Sequence, residues 1–271
     1  MITNSKTNSR LSDDLQVLSG ILDKVDTFTM QRFLSTDLQV ETKPDLTPVT
    51  DADRQAEQII RQTLSHYRSR DAVFGEEGGE SSGPSGRRWI IDPIDGTKNF
   101  VRGVPVWATL VGLEEDGEIV LGMVSAPALQ RRWWAIKGQG AYTGRNFRNA
   151  RKLQVSQISQ IEDASFSYAS LNGWQERGQL RAMLRLCQTV WRTRGYGDFW
   201  SYMLLAEGAV DIAAEPKLAL YDMAALVPIV TEAGGAFTDL SGHSGPWGGN
   251  ALASNGLLHQ QAQEILNSVH D

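Results

Sequence analysis

An apolar strand that stops at two aspartates constrains this chain more than any other feature. Trp89-Ile90-Ile91 runs into Asp92-Pro93-Ile94-Asp95 and then into Gly96-Thr97. Repulsion between neighbouring carboxylates must be offset by a cation, and ligands that are all oxygen suit Mg²⁺ better than zinc or copper. A helix that starts at Gly96-Thr97 presents backbone N–H groups to an anion such as phosphate. The run predicts a metal and phosphate site; the alternative is an ordinary strand-to-turn carboxylate pair beside a helix cap.

The bulk composition is that of a globular protein. The 271 residues are 41% hydrophobic and 21% charged, which is enough for a sizeable core. The net charge of −6 and the lack of a concentrated Lys/Arg stripe argue against a nucleic-acid partner. Cys187 is the single cysteine, so no intrachain disulfide is possible, and we expect a cytoplasmic location. The sequence shows no signal-peptide core and no apolar run of membrane-spanning length, so we expect no membrane partner.

Periodicity and turn signals divide the chain into halves of 1–150 and 151–271, which we expect to form one compact unit. In the first half, residues 1–10 are predicted to be disordered and a helix is predicted from Ser12. A second helix follows Thr50, with Asp53 completing a capping box. The rest of this half favours an antiparallel sheet, interrupted by a mobile Gly/Ser-rich loop over Gly78 to Arg88.

The second half alternates between strand-like and helix-like segments, which favours an α/β layer. Asp222 to Ala233 is predicted to be one helix that ends at Gly234-Gly235. Pro228 is expected either to kink this helix or to lie near its first turn. The fold class predicted overall is therefore α/β, with an α+β half followed by an α/β half.

Acidic residues recur at the boundaries of the predicted elements. Taken alone, each one is better explained as an ordinary helix-start residue or loop charge than as a functional residue. In order and in local sequence, however, the segments resemble the inositol monophosphatase-like superfamily of Mg²⁺-dependent phosphatases. The matching segments are Thr50-Asp51-Ala52-Asp53, Gly75-Glu76-Glu77, Asp92-Pro93-Ile94-Asp95-Gly96-Thr97, Tyr221-Asp222-Met223-Ala224-Ala225 and Glu232-Ala233-Gly234-Gly235.

This resemblance implies a fold, a cofactor and a partner. The fold is a layered αβαβα sandwich with the active site between its two halves. The cofactor is Mg²⁺, two to three ions per site, and the substrate is a small-molecule phosphate ester. Members of the superfamily are commonly homodimers, so we expect a homodimer here.

The resemblance also implies roles for individual residues. The first metal is expected to be held by Glu76, Asp92, Asp95 and the backbone carbonyl of Ile94, and the second by Asp92, Asp95 and Asp222. The catalytic residues it implies are Glu76, Asp53 and Thr97, the last two by positioning or deprotonating the attacking water near a weaker third metal. The backbone N–H groups of Gly96 and Thr97 are expected to hold the phosphate.

The substrate is expected to be chosen by Asp198 and Glu215. Asp198 stands where many inositol phosphatases have serine, and Glu215 matches a substrate-binding glutamate of the superfamily. Two carboxylates suit a cationic alcohol better than a neutral polyol. Segments 92–128, 197–202 and 220–229 resemble the histidinol-phosphate phosphatases of this superfamily. The alternatives are an inositol 1-monophosphatase or a broad sugar monophosphatase, and Asp198 is equally well explained as a helix N-cap.

Overall fold

Three helices, a two-stranded ribbon and a mostly antiparallel sheet form the first half of the chain. The structure, a computed structural model, describes residues 2–44 and 46–268. The helices of this half are α1 (Ile2–Arg32), α2 (Asp51–Tyr67) and α3 (Thr97–Val101). Its strands are β1 (Val40–Thr42), β2 (Pro48–Thr50), β3 (Ala72–Gly75), β4 (Gly79–Ser81), β5 (Arg87–Asp95), β6 (Ala108–Glu115), β7 (Glu118–Ala126), β8 (Arg131–Ile136), β9 (Gly140–Gly144) and β10 (Arg151–Lys152).

Ten strands of this half form a ribbon and a large sheet. β1 and β2 pair with each other, and the large sheet has the order β10-β9-β8-β7-β6-β5-β3-β4. Neighbours in it are antiparallel except β3 and β5, which run parallel and so end at the same edge. The β6–β7 hairpin turns at Asp116 and Gly117, both with positive φ, as the Asp-Gly pair predicts.

Helices and short strands alternate in the second half. The helices are α4 (Asn172–Glu176), α5 (Leu180–Thr189), α6 (Asp198–Ala206), α7 (Leu220–Ala224), α8 (Leu226–Glu232) and α9 (His259–Asn267). The strands are β11 (Ser165–Ser167), β12 (Arg192–Arg194), β13 (Ile212–Glu215), β14 (Ala236–Thr238) and β15 (Ala251–Ser254). They form a second sheet of order β12-β11-β13-β15-β14, in which β11 runs parallel to β12 and β13.

Apolar side chains stack these elements into five layers. Leu18 and Leu22 of α1 pack with Trp89 of β5 on the outer face of the large sheet. Between the two sheets, α6 and α8 are buried through residues such as Phe199 and Ile229. α5 and α9 cover the outer face of the second sheet. This order of layers confirms the predicted α/β fold and its αβαβα sandwich. Among the described residues, no helix combines the length and the apolar character needed to cross a bilayer.

Three predictions of local structure were wrong. α1 begins at Ile2 rather than Ser12, so residues 2–10 are helical and not disordered; Met1 lies outside the described residues. Once the apolar face from Leu11 onward is packed, adding helical turns requires no new nucleus. The segment predicted as a loop over Gly78 to Arg88 contains β4, an edge strand paired with β3.

The third error concerns the helix predicted over Asp222 to Ala233. It is two helices, α7 and α8, which meet at Ala225. Pro228 lies in the first turn of α8, where its missing N–H costs no intrahelical bond. The sequence analysis did not predict the elements that follow Gly235, which are β14, β15 and α9.

Candidate metal and phosphate site

A β-bulge brings Asp92 and Asp95 to one side of the large sheet. On β6, Leu110 and Ala108 are two residues apart, yet their partners on β5 are Asp92 and Asp95, three apart. The extra residue kinks the strand end and re-aims the side chains that follow it. Pro93 has no backbone N–H to donate, and it is tolerated here because a residue in a bulge need not donate a hydrogen bond to the neighbouring strand. The Pro93 carbonyl accepts a hydrogen bond from the Thr109 hydroxyl at 2.8 Å.

The start of α7 brings a third carboxylate to the pair. Asp222 is fixed by the backbone N–H of Ala219, which donates to its Oδ2 at 2.7 Å. One oxygen from each of Asp92, Asp95 and Asp222 lies within 4.8 Å of the others. Asp92 Oδ1 is buried and has no hydrogen-bond partner among the described residues. An all-oxygen donor set with a buried, unpaired carboxylate oxygen fits Mg²⁺.

Burial and mutual repulsion raise the pKa values of the three aspartates. Both raise the pKa of Asp92 and of Asp95 well above the usual range for aspartate, and burial raises the pKa of Asp222 to about 7. Asp95 has one compensating contact, because the backbone N–H of Phe199 at the start of α6 donates to its Oδ2 at 2.7 Å. The free carboxylates therefore repel each other, and a bound dication relieves this repulsion.

Glu76 reaches the same site from the end of β3. Its backbone N–H donates to the carbonyl of Ile91 at 3.1 Å, so the chain stays beside β5 after β3 has ended. Its carboxylate pairs with the Lys43 ammonium, whose Nζ lies 2.6 Å from Glu76 Oε1 and 2.6 Å from Glu77 Oε1. The sequence analysis did not identify Lys43, because no local signal links the β1–β2 turn to a residue more than thirty positions away.

Thr97 links the turn at Gly96 to Asp53. The Thr97 hydroxyl lies 3.2 Å from Asp53 Oδ1 and 3.0 Å from the Ile94 carbonyl. The other oxygen of Asp53 accepts from the backbone N–H of Thr50 at 2.8 Å, which confirms the predicted capping box. Asp53 is fully buried, and this burial raises its pKa to about 6. A carboxylate with such a pKa suits a general base near neutral pH.

Gly96 allows the turn before α3 to form. Its φ of +84° lies in the left-handed region, which favours glycine. A Cβ there would lie 3.0 Å from the Val106 carbonyl oxygen and 3.2 Å from Asp198 Oδ2. Only glycine meets both conditions without strain.

Asp198 opens α6 beside this turn. The N-cap residue is Gly197, so the alternative prediction that Asp198 is the N-cap was wrong. Asp198 has a φ of +47°, which is uncommon for a residue with a side chain. Its Oδ2 lies 3.4 Å from the amide nitrogen of Asn99, which also donates to the Val106 carbonyl. Burial raises the pKa of Asp198, and the charge of Lys98 offsets part of that rise.

Glu215 is another buried carboxylate beside the site. It ends β13, is only 5% exposed, and its Oε1 has no hydrogen-bond partner among the described residues. Burial, with repulsion from Asp198 added to it, raises the pKa of Glu215 to about 8. Tyr202, one turn after Asp198 on α6, also has a buried hydroxyl without a described partner. A buried carboxylate without a cationic partner is unfavourable, so this position favours a ligand that supplies one.

The structure brings most of the predicted residues to one cavity. The cavity has a volume of about 540 Å³, and it also exposes two lysines, Lys98 and Lys217. The predicted residues that line it are Glu76, Asp92, Ile94, Asp95, Gly96, Thr97, Asp198 and Asp222. Asp53 and Glu215 do not line it: Asp53 reaches it through Thr97, and Glu215 is close enough to Asp198 for the two charges to repel each other.

The crowded carboxylates predict how stability depends on pH in the metal-free protein. Asp53, Asp222 and Glu215 have pKa values of about 6, 7 and 8 in the folded chain, against ordinary values of 3.8 to 4.5 for these groups. Between these limits the folded state holds more protons than the unfolded state, so the free energy of unfolding falls as pH rises. Each group contributes up to about 1.4 kcal/mol per pH unit.

We expect urea unfolding in EDTA to show this fall between pH 5 and pH 8. Asp222→Asn removes one of the repelling charges and should be the more stable protein at pH 8, by about 1 kcal/mol or 2–4 °C in Tm. Saturating Mg²⁺ should restore the wild type far more than the variant. A wild type whose metal-free stability rises steadily over this pH range would contradict the crowding.

The sequence profile of the inositol monophosphatase family matches residues 12–270. A histidinol-phosphatase of Streptomyces coelicolor is 58% identical over 259 residues, covering 94% of this chain and 97% of the relative. A histidinol-phosphatase of Mycobacterium tuberculosis is 54% identical over 256 residues, covering 94% of this chain and 98% of the relative. Among solved structures, the extragenic suppressor protein suhB of Bartonella henselae has a TM-score of 0.87 at 28% identity, covering 95% of this chain and 100% of that one.

Proposed function

This chain belongs to the inositol monophosphatase family, and from that premise we propose that it is a Mg²⁺-dependent histidinol-phosphatase, which hydrolyses L-histidinol phosphate to L-histidinol and phosphate in histidine biosynthesis. Its class is that of a phosphoric monoester hydrolase. The relatives that share more than half of its residues over nearly their whole length are named for this activity. The carboxylate cluster and the buried Glu215 support the same assignment independently.

We propose that Glu76, Asp92, Asp95, Asp222 and the Ile94 carbonyl hold two to three Mg²⁺ ions. Bound Mg²⁺ supplies charge neutralisation at the phosphate oxygens and lowers the pKa of water in the site. The chain fixes the donors in advance: the bulge aims Asp92 and Asp95, and backbone N–H groups hold Asp95 and Asp222. Donors that are already in place need no reorganisation when the phosphate ester arrives.

Thr97 and Asp53 are the proposed acid–base pair. The Thr97 hydroxyl donates to Asp53, which leaves its own lone pairs to accept a hydrogen bond from the attacking water. The water adds to phosphorus as the bond to the alcohol oxygen breaks, and the proton that the water loses passes through Thr97 to Asp53. The alcohol oxygen takes up a proton from solvent as it leaves. The backbone N–H groups of Gly96 and Thr97 are the proposed donors to the phosphate.

Glu215 carries the choice of substrate. Burial raises the pKa of Glu215 to about 8, so beside a neutral polyol it stays largely protonated near neutral pH. Histidinol offers an ammonium and an imidazole, which favour the ionised form of Glu215 and can pair with it and with Asp198. Discrimination then comes from the charge-assisted hydrogen bonds that the cationic alcohol makes and a neutral polyol does not.

The direct test is phosphate release from histidinol phosphate and from inositol 1-phosphate, side by side, with Mg²⁺ and with EDTA. We expect a strong preference for histidinol phosphate, with activity lost in EDTA and restored by added Mg²⁺. Preference for inositol 1-phosphate keeps the metal chemistry and rejects the substrate. Release of phosphate from neither ester, with Mg²⁺ present, rejects the hydrolase assignment.

We also propose that the protein acts in the cytoplasm as a homodimer. The single Cys187 suits a reducing compartment. The edge strand β12 and the neighbouring Trp191, whose side chain is 70% exposed, offer a surface for a second copy. Sedimentation of the wild type and of Trp191→Glu will test the assembly, and a wild-type monomer would reject it.

A further inference from the structure

Glu57 is a buried carboxylate that the proposed chemistry does not use. It lies on α2, one turn after Asp53, and only 2% of it is exposed. Its Oε2 accepts from the backbone N–H of Glu77 at 2.7 Å, and its Oε1 accepts from the backbone N–H of Gly78 at 2.9 Å. Arg61, the next turn of the same helix, donates from Nε to Oε1 at 2.6 Å. Two of the three bonds therefore hold the backbone of the turn that carries Glu76.

The two glycines of this turn are explained by Glu57. Neither Gly75 nor Gly78 has a positive φ, so conformational freedom is not the reason for glycine at either position. A Cβ at Gly75 would fall on the Glu57 carboxylate, and a Cβ at Gly78 would lie 2.7 Å from its Oε1. The sequence Gly75-Glu76-Glu77-Gly78 thus leaves room on both sides of the acidic pair for one carboxylate from α2.

Glu76 is fixed between these contacts and β5. Its own N–H bonds to the Ile91 carbonyl, one residue before Asp92, while the N–H of the next residue bonds to Glu57. Glu76 is therefore anchored on one side to the strand that bears the aspartates and on the other to the helix that bears Asp53. Without the second anchor, the Glu76 side chain gains freedom that it must lose again when it binds a cation.

We propose that Glu57 is a positioning residue that sets the Mg²⁺ affinity of the site, by bonding to the Gly75–Gly78 turn and so holding Glu76 in place. The inference rests on the proposed Mg²⁺ site and goes beyond it, since Glu57 itself contacts neither the cavity nor the other carboxylates of the site among the described residues. Outer partners that orient a metal ligand typically contribute about 10–100-fold in affinity.

The test is Mg²⁺ binding to Glu57→Gln, measured by isothermal titration without substrate. Glutamine keeps the size and one acceptor but places an NH₂ group opposite a backbone N–H, so one anchor is lost. We expect the Kd for Mg²⁺ to rise about 10–100-fold. Once Mg²⁺ is saturating, we expect kcat to return to within about threefold of the wild-type value, because the reacting groups are unchanged.

Two further variants separate positioning from general destabilisation. Glu80→Gln makes the same chemical change on β4, where the side chain is exposed and pairs with Arg88, and should leave the Kd unchanged. Arg61→Gln weakens the hold on Glu57 from a partly exposed position, and should raise the Kd by a smaller factor even if Glu57→Gln does not fold. Circular dichroism and urea unfolding give the folded fraction of each.

The inference would be overturned if the wild type binds Mg²⁺ and both folded variants, Glu57→Gln and Arg61→Gln, bind it with the same Kd. Glu57 would then be a structural residue only. A wild type that binds no Mg²⁺ in the titration would overturn the proposed metal site, and this inference with it.

Discussion

Asp95→Asn is expected to fold like the wild type but to have phosphatase activity lower by a factor on the order of 10³ or more. This loss exceeds the ~10–100-fold effect of removing a residue that only orients a metal ligand. Asparagine has the same shape and keeps an oxygen that accepts from the Phe199 N–H. It removes the negative charge that two of the proposed metal ions share. Because this site works by placing charge around the phosphate, losing a shared carboxylate impairs both metal binding and the neutralisation of the transition state.

The measurement is phosphate release at saturating substrate and at Mg²⁺ concentrations up to the limit of solubility, with urea unfolding in EDTA as the check on folding. Asp116→Asn is the matched control, since it makes the same change in an exposed hairpin turn where asparagine also tolerates a positive φ. Turnover like that of the wild type in Asp95→Asn would refute the metal assignment. A variant less stable than the wild type in EDTA would contradict the cost of burying Asp95 beside the carboxylates of Asp198 and Asp222.

The features that the sequence predicts correctly are those set by neighbours along the chain. The Thr50–Asp53 capping box, the Asp116-Gly117 turn and the helical stretch of α1 from Ser12 onward each follow from residues within one or two turns. So does the Asp92–Asp95 pair, since its strand, proline and glycine are contiguous. The order of the five layers came from resemblance and not from any such local signal.

The features that it misses depend on contacts between distant segments. Lys43, in the turn between β1 and β2, meets Glu76, which follows β3. The break between α7 and α8 is a matter of packing: Gly112 and Gly122 leave room on the large sheet for the backbone of Ala224 and Ala225. The burial of Glu215 likewise depends on α6 covering β13, which the periodicity of neither segment reveals.

Glu215→Gln is expected to lower kcat/KM for histidinol phosphate about 100-fold, which corresponds to the 2–3 kcal/mol of a buried, charge-assisted hydrogen bond. The same change should leave kcat/KM for inositol 1-phosphate within about threefold of the wild-type value. A neutral polyol gains nothing from the negative charge, and glutamine still offers it an oxygen and an NH₂ group. Steady-state kinetics with both esters at one saturating Mg²⁺ concentration will measure the ratio.

Glu176→Gln, an exposed change on α4, is the control for altered net charge. A fall of equal size for both esters would mean that Glu215 supports the fold of the pocket and does not select the alcohol. The two outcomes also differ in stability: burial raises the pKa of Glu215 to about 8, so neutralising it should make the metal-free protein more stable at pH 9. A variant that is more stable yet slower, and slower only with the cationic ester, identifies a carboxylate kept for recognition at the expense of stability.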